Sequence, residues 1–276
     1  MPNVPIINRN QVRLTGQKLG EGFQAEIQKG LYRGVEVAVK SRKVTNNAND
    51  VLREIYLHSL VTGHENIIKI YAVYVTEDCY NIVLEFFKAK TLKEIILGSP
   101  IKNRISVRNK NKIARQITGA LVYIHSKEII HKDMKLSNVM MNDNFEAKII
   151  DFGLARSRHF ADNIRSRHNF VQGDPRYQAP EVNILNDPIP ANDVWSTGCT
   201  LKELYSEKVC WGKHSATNAL MGAIQGFTTF QGPPSLRNVP NFLHNILLRC
   251  FSYEPRDRPT MHQLWSTIET EVQRSG

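Results

Sequence analysis

Two spacings of apolar residues divide this chain. In "VEVAVKSRK", Val35, Val37 and Val39 face one way and Glu36, Ala38 and Lys40 the other, the period-two alternation of a strand with one covered face. "QVRLTGQKLG" and "FQAEIQKGLYRG" flank a glycine pair and read as two strands joined by a turn, while "NIIKIYAVYV" and "YNIVLEFF" read as two more. After the asparagine-rich "TNNAND", Val51, Ile55 and Leu60 take helical spacing, with Asn49 or Asp50 as the N-cap. From about Thr91 the period lengthens, and Ile113, Ile117, Leu121 and Ile124 fall on one helix face. Further helices are predicted at "DVWSTGCTLKELYSEK", "PNFLHNILLRCF" and "TMHQLWSTIETEV". The pattern predicts an α+β chain, a small mainly β region followed by a larger helical one, meeting near residues 86–91. No internal repeat or low-complexity segment interrupts it.

Composition narrows the class. The 276 residues are 41% hydrophobic, enough for one large domain or two modest ones. Charged residues make up 22% without a single-sign block, which excludes a disordered or fibrous chain. The formal net charge of +10 favours acidic partners (nucleotide phosphates, nucleic acid or anionic membrane) without choosing among them, and solvated surface charge accounts for most of it. Cys79, Cys199, Cys210 and Cys250 are scattered, so reduced thiols are expected and neither a disulfide framework nor a zinc cluster. The opening "MPNVPIINRN" has no signal-peptide pattern, Pro2 stands where myristoylation needs glycine, and "EVQRSG" is no prenylation signal. No apolar run approaches the ~20 residues of a membrane span. The expectation is a soluble cytoplasmic protein, with the nucleus left open and the oligomeric state undetermined.

Candidate chemistry lies in four places. Gly20 and Gly22 of "LGEGFQAEI" sit in a turn where backbone N–H groups can approach phosphate oxygens, although an ordinary glycine-rich hairpin explains them equally well. Lys40 shares a strand face with Ala38, which is small enough to lie against a flat aromatic ring while the lysine reaches phosphates. Taken alone, Lys40 reads more simply as a lysine extending to water. Glu54 on the following helix is its natural counter-charge, or else an ordinary surface glutamate. In "HKDMKLSN", Asp133 could accept a proton from an attacking hydroxyl, Lys135 could neutralise a transferred phosphoryl group, and Asn138 offers an amide oxygen to a hard cation such as Mg²⁺. Asp151 of "KIIDFGLA" ends an apolar strand and offers a second hard-cation ligand, though turn capping uses carboxylates in the same way.

In order, the chain shows G-E-G-F-Q-A, V-A-V-K, a helix with Glu54, H-K-D-M-K-L-S-N, D-F-G and "GDPRYQAPE". This series resembles the eukaryotic protein kinase family, over residues 14–272. "DVWSTG" resembles its central C-lobe helix and "RDRPT" its closing segment, where Arg258 would pair with Glu181. The resemblance implies a bilobal fold: a small antiparallel β N-lobe with one regulatory helix (13–84), a hinge (85–90) and a larger, mainly α C-lobe (91–272). Residues 1–12 would be an N-terminal extension and 273–276 a tail. It also implies roles. Leu19, Gly20 and Gly22 would cover the phosphates of ATP, and Lys40, held by Glu54, would contact the α- and β-phosphates. Asp133 would be the catalytic base or hydroxyl orienter, with Lys135 beside the γ-phosphate and Asn138 and Asp151 on Mg²⁺. Adenine would lie between Ile27 and Ala38 above and Met140 below, bonding the hinge backbone at Glu85 and Phe87, with Leu84 as gatekeeper. A stack of Ile70, His58, Phe152 and His131, anchored at Asp193, would join the lobes; His58 is the unexpected member, where a long apolar residue belongs.

Three letters depart from the family pattern. Ala25 stands in place of the third glycine, which implies a stiffer but working loop. Lys132 replaces the arginine of H-R-D, keeping charge but losing the bidentate fork that reads a phosphorylated loop. Asp174 stands where a threonine hydroxyl bridges the catalytic aspartate and lysine. Such a carboxylate either binds Lys135 and lowers turnover, or swings out and favours basic substrates. The presumed activation segment, residues 151–181, carries Arg156, Arg158, Arg165 and Arg167 against Asp162, with Ser157, Ser166 and Tyr177 as hydroxyls. Arginine-clamped phosphoserine and a plain basic loop are the two readings. A nucleic-acid site is not expected, because aromatics are not interleaved. Lys135 and "GDPRYQAPE" resemble the serine/threonine pattern, with the texture of the tyrosine-kinase-like group. The expected activity is ATP- and Mg²⁺-dependent phosphorylation of protein substrates on serine or threonine. The alternative is a pseudokinase, a nucleotide-binding scaffold, suggested by Ala25, Lys132, Asp174 and His58.

Overall fold

A computed structural model describes residues 4–22, 25–44, 48–98, 105–157, 173–183, 188–211 and 233–275. The period-two segments form one antiparallel sheet of five strands, β1 (Val12–Gly22), β2 (Ala25–Tyr32), β3 (Val35–Lys43), β4 (Ile70–Val75) and β5 (Cys79–Glu85), in the order β1-β2-β3-β5-β4. Val37 and Val39 of β3 are buried with Val12, Tyr32, Ala72, Tyr74 and Val83 on one side of this sheet. Its other side carries Ala38, Ile70, Ile82 and Leu84 towards helix α1 (Ala48–Val61). The helix therefore begins before the expected caps: Asn49 and Asp50 lie inside its first turn, where Asp50 pairs with Arg53 at 2.6 Å and favours the helix dipole.

The second lobe is helical. Strand β6 (Lys90–Thr91) leads into α2 (Leu92–Ile96), where Thr91 and Glu94 form a reciprocal capping box. Helix α3 (Val107–Ser126) buries Ile113, Ile117, Leu121 and Ile124, the face expected from their spacing. Strands β7 (Ile129–Ile130), β8 (Val139–Met141), β9 (Ala147–Ile149) and β10 (Arg156–Ser157) follow, β8 lying between β6 and β9, and β7 pairing with β10. Helices α4 (Pro190–Ser206), α5 (Asn241–Cys250) and α6 (Met261–Ser275) complete the described part. Every residue of α4 from Asn192 to Ser206 is buried, so its polar side chains need partners within the lobe. The chain is thus bilobal, as its pattern implies. The lobes are stitched behind the sheet by the loop after α1: Ile68 N–H donates to the Ile149 carbonyl and Ile149 N–H to the Asn66 carbonyl, both at 2.9 Å.

Both ends of the described chain carry regular contacts. Of the expected N-terminal extension, residues 4–12 lie against the sheet. Val12 opens β1, Ile6 bridges Val73 in parallel, and Val4 packs on the cluster containing Leu84, because edge strand β4 offers free backbone groups. The tail expected from residue 273 is helical through Ser275, since the amphipathic pattern of α6 continues. Cys199, Cys210 and Cys250 are buried free thiols and Cys79 is half-buried. No described helix is long and apolar enough to cross a membrane.

Candidate active site

The cleft between the lobes is lined from both sides. Strand alternation sends Lys40 and Arg42 off the same face of β3 towards α1, and both reach Glu54. Lys40 Nζ lies 2.6 Å from Glu54 Oε1, Arg42 Nη1 lies 2.7 Å from Oε2, and Lys40 Nζ also lies 2.9 Å from Asp151 Oδ1. Glu54 is buried while Asp151, beyond β9, is about a third exposed. Burial alone would lower the Lys40 ammonium pKa, but the carboxylates of Glu54 and Asp151 outweigh it and keep the group charged. The Asp151 carboxyl is pushed up by burial and pulled down further by Lys40 and the Gly153 N–H, so it stays ionised. Gly153 is needed for close approach: a Cβ there would sit 3.3 Å from Asp151 Oδ1 and 3.6 Å from Glu54 Oε2.

From the other lobe, residues 131–138 bring three predicted groups into mutual contact. Lys135 Nζ donates to Asp133 Oδ1 at 2.9 Å and Oδ2 at 2.7 Å, and Asn138 Nδ2 donates to Asp133 Oδ2 at 2.8 Å and its carbonyl at 2.7 Å. This loop is held from below by Asp193 of α4, wholly buried. Its carboxylate accepts from His131 N, Lys132 N and His125 Nε2, each at 2.8 Å. Burial raises the Asp193 carboxyl pKa, but the bond from His125 and the nearby imidazoles bring it below the ordinary value. Lys132 adopts φ +66°, a left-handed turn that aims two successive N–H groups at one carboxylate.

Three members of the expected stack between the lobes, His58, Phe152 and His131, lie in ring contact. His58 lies parallel to Phe152 with ring centroids 4.7 Å apart, and His131 meets Phe152 at 5.2 Å. His58 fits where an apolar residue was expected because its ring gives Phe152 a flat face, while Nε2 sits 2.7 Å from the buried Ile68 carbonyl. Burial depresses the His58 imidazole to about 4, so it is the neutral ring that donates there.

Leu84 is buried at the end of β5, and Ile27, Ala38 and Met140 are half-buried at the cleft; Leu19 is more exposed, on β1 before Gly20 and Gly22. The hinge is pinned at Glu85. Its N–H donates to the Lys69 carbonyl, its carboxylate pairs with Lys148 of β9 at 2.7 Å, and the same ammonium lies 5.5 Å from the Phe87 ring centre. Gly173 takes φ +102°, and a Cβ there would stand 3.1 Å from Leu154 and 3.5 Å from Asp133 Oδ1. Next to it, Asp174 has neither captured Lys135 nor swung free. Its carboxylate pairs with Arg176, Oδ2 lying 2.5 Å from Nη2 and Oδ1 2.9 Å from Nε. The expected choice between a lysine trap and an acidic surface is therefore replaced by a neutral pair within the loop. Tyr177 is buried and donates to Glu203 Oε2 at 2.7 Å, which makes it a structural hydroxyl. Glu181 meets both Nη atoms of Arg258, at 2.6 and 2.7 Å, as expected. Ser157 pairs with Ile129 on β10; Ser166, with Arg158, Arg165, Arg167 and Asp162, falls outside the described residues.

The donor set fits a hard cation beside a phosphate chain. Asn138 spends its amide nitrogen on Asp133, which leaves the amide oxygen as acceptor, and its backbone carbonyl accepts from Ile150 N–H at 3.1 Å, one residue before the cleft carboxylate Asp151. One carboxylate and one amide oxygen suit Mg²⁺, which keeps waters and phosphate oxygens in its other positions. Among the described residues no cluster of three or more His, Cys, Asp or Glu forms an all-protein metal cage. Arg42, Arg176, His125 and Asn192 are the site residues that sequence reasoning missed. The first two were legible as i+2 neighbours of Lys40 and Asp174; His125 and Asn192 carried no local signal.

Comparison with known proteins agrees with this geometry. The family model described as the protein kinase domain matches residues 14–267. The human tyrosine-protein kinase FRK is 31% identical over 269 residues, covering 95% of this chain and 52% of its own length. A probable serine/threonine-protein kinase of Dictyostelium discoideum is 30% identical over 90% of the chain and 15% of its own length. Tyrosine-protein kinase SRK3 of Spongilla lacustris is 27% identical over 95% of the chain and 77% of its own length. The chain thus spans about half of the first of these relatives and a small part of the second.

Proposed function

The chain belongs to the protein kinase family, and from that premise we propose that it transfers the γ-phosphate of ATP, with Mg²⁺, to serine or threonine hydroxyls of protein substrates. The observation that carries the reading is the interlocked set Asp133, Lys135 and Asn138 facing Lys40, Glu54 and Asp151 across one cleft. In it Asp133 orients the acceptor hydroxyl and takes its proton. Lys135 and Lys40 offset charge on the phosphate chain, and Asp151 with the Asn138 oxygen would hold Mg²⁺, which would supply positive charge to the phosphates. Gly20, Gly22 and Leu19 cover the nucleotide; Ile27, Ala38, Leu84 and Met140 enclose its base, with hinge backbone at Glu85 and Phe87. Positioning and electrostatic stabilisation do the work, and the charged groups are held in place by neighbours such as Arg42 and Asp193.

Serine/threonine preference is supported by Lys135, two residues after Asp133, and by the short "GDPRYQAPE" segment. Two of the three relatives are named tyrosine kinases, so the acceptor must be tested directly. The experiment is Mg²⁺-dependent transfer of labelled γ-phosphate to the chain itself and to a generic basic protein, beside Asp133→Asn. Phosphoserine or phosphothreonine made by the wild type and absent from the variant supports the reading. Phosphotyrosine alone sinks the serine/threonine assignment, and folded, ATP-binding protein that transfers nothing favours the scaffold.

A further inference from the structure

We infer that Arg176 is a positioning residue for phosphoryl transfer, holding the Asp174 carboxylate off Lys135 so that Lys135 stays bonded to both oxygens of Asp133. This rests on the kinase reading above. Asp174 directly follows a residue that touches another acid: a Cβ on Gly173 would be 3.5 Å from Asp133 Oδ1. Unpaired, its charge would repel Asp133 and the incoming phosphate chain and attract the Lys135 ammonium. The guanidinium fork of Arg176 prevents this. Nε lies 2.9 and 3.2 Å from the two Asp174 oxygens, Nη2 lies 2.5 Å from Oδ2, and the Arg176 backbone N–H adds a bond to Oδ1 at 3.1 Å. Burial would raise the Asp174 carboxyl, yet Arg176, and beyond it Lys135, bring it below the ordinary value. Among the described residues, Lys135 is the next cation to act on the Asp174 carboxylate after Arg176.

The pair cannot drift, because the loop is fixed independently. The Arg176 carbonyl accepts from Trp211 Nε1 at 2.9 Å, Tyr177 is tied to Glu203, and Gly173 holds a left-handed turn. Truncating the Arg176 side chain leaves those three anchors in place. Its effect should therefore be electrostatic and local, and should vanish when the acid it restrains is also removed.

The test is steady-state kinetics of the full chain with ATP, Mg²⁺ and a generic basic protein, for wild type, Arg176→Ala and the double variant Arg176→Ala with Asp174→Thr. Arg176→Ala is expected to lower kcat about tenfold or more with the KM for ATP within about twofold, and the double variant to recover to within about threefold of wild type. Wild-type kcat in Arg176→Ala overturns the inference. So does a loss that Asp174→Thr fails to relieve, which would mark Arg176 as mere loop support. No transfer by folded wild-type protein overturns the kinase reading and this inference with it, a result visible before either variant is made.

Discussion

His58 makes the stability of this fold depend on acid in a way that can be isolated. Its imidazole lies buried against Phe152, bonded to the Ile68 carbonyl, and burial lowers its pKa from 6.5 to about 4. The surrounding charges, Glu54, Lys40 and Asp151, do not reverse that shift. An unfolded chain takes up the proton near 6.5 and the folded one only near 4. Between these values the unfolded state holds more protons, so stability falls as pH falls. The full difference is about 3 kcal/mol, of which about 2 kcal/mol is gone by about pH 4.5. His58→Leu removes this dependence, at a loss near neutral pH of about 1–2 kcal/mol for leaving the Ile68 carbonyl without its donor. Urea unfolding of both proteins between about pH 7 and about pH 4.5 should show the gap between them closing by about 2 kcal/mol. His131, also buried and depressed, titrates in both proteins and cancels in the difference. Parallel pH profiles would refute the argument.

Two further outcomes follow from ion pairs described above. Arg42→Met leaves Glu54 with Lys40 alone. The lost charge-assisted bond corresponds to about 1–2 kcal/mol, so kcat/KM for ATP should fall about tenfold with the fold intact by thermal melting; an unchanged value would show that Lys40 suffices. Arg258→Met strands the buried Glu181 carboxylate with only the Asn192 amide, at 2.5 Å, among its described side-chain partners. A stability loss of about 3–5 kcal/mol is expected in denaturant titration, and one below about 1 kcal/mol would contradict the pair's burial.

The parts of this molecule legible in advance are those whose signal is local. Alternation in "VEVAVKSRK" put Val35, Val37 and Val39 on one face, of which Val37 and Val39 are buried while Val35, at the strand's start, is exposed; helical spacing assigned Ile113, Ile117, Leu121 and Ile124 to the core. The positions of Asp133, Lys135, Asn138 and Asp151 followed from motif order; the first three touch one another and Asp151 meets Lys40. Elsewhere the deciding partner lies far along the chain. That residues 4–7 lie along β4 depends on an open sheet edge more than sixty positions away. The start of α1 at Ala48 fell one or two residues ahead of two acceptable caps, Asn49 and Asp50. The fate of Asp174 required knowing that Arg176, its neighbour but one, could fold back in a short 3-10 turn. His58 looked misplaced because propensity weighs the side chain and not the carbonyl waiting at Ile68.

The bonds from the loop after α1 to β9 hold that loop in place, so a swing of α1 would turn about its Val61 end. Helix α1 ends at Val61, just before the loop, while its other end at Ala48 is far from it. With a rise of about 1.5 Å per residue, Glu54 sits on a lever arm of roughly 10 Å. A swing of about 10° would carry its carboxylate roughly 2 Å, enough to part it from Lys40. The exposed side chains Leu52 and Tyr56 lie on either side of Glu54 along α1, about 14 Å and about 8 Å from Val61. Force applied nearer Ala48 gains leverage, and force near Val61 has almost none. A displacement of α1 at its Ala48 end therefore carries the greatest leverage on Glu54.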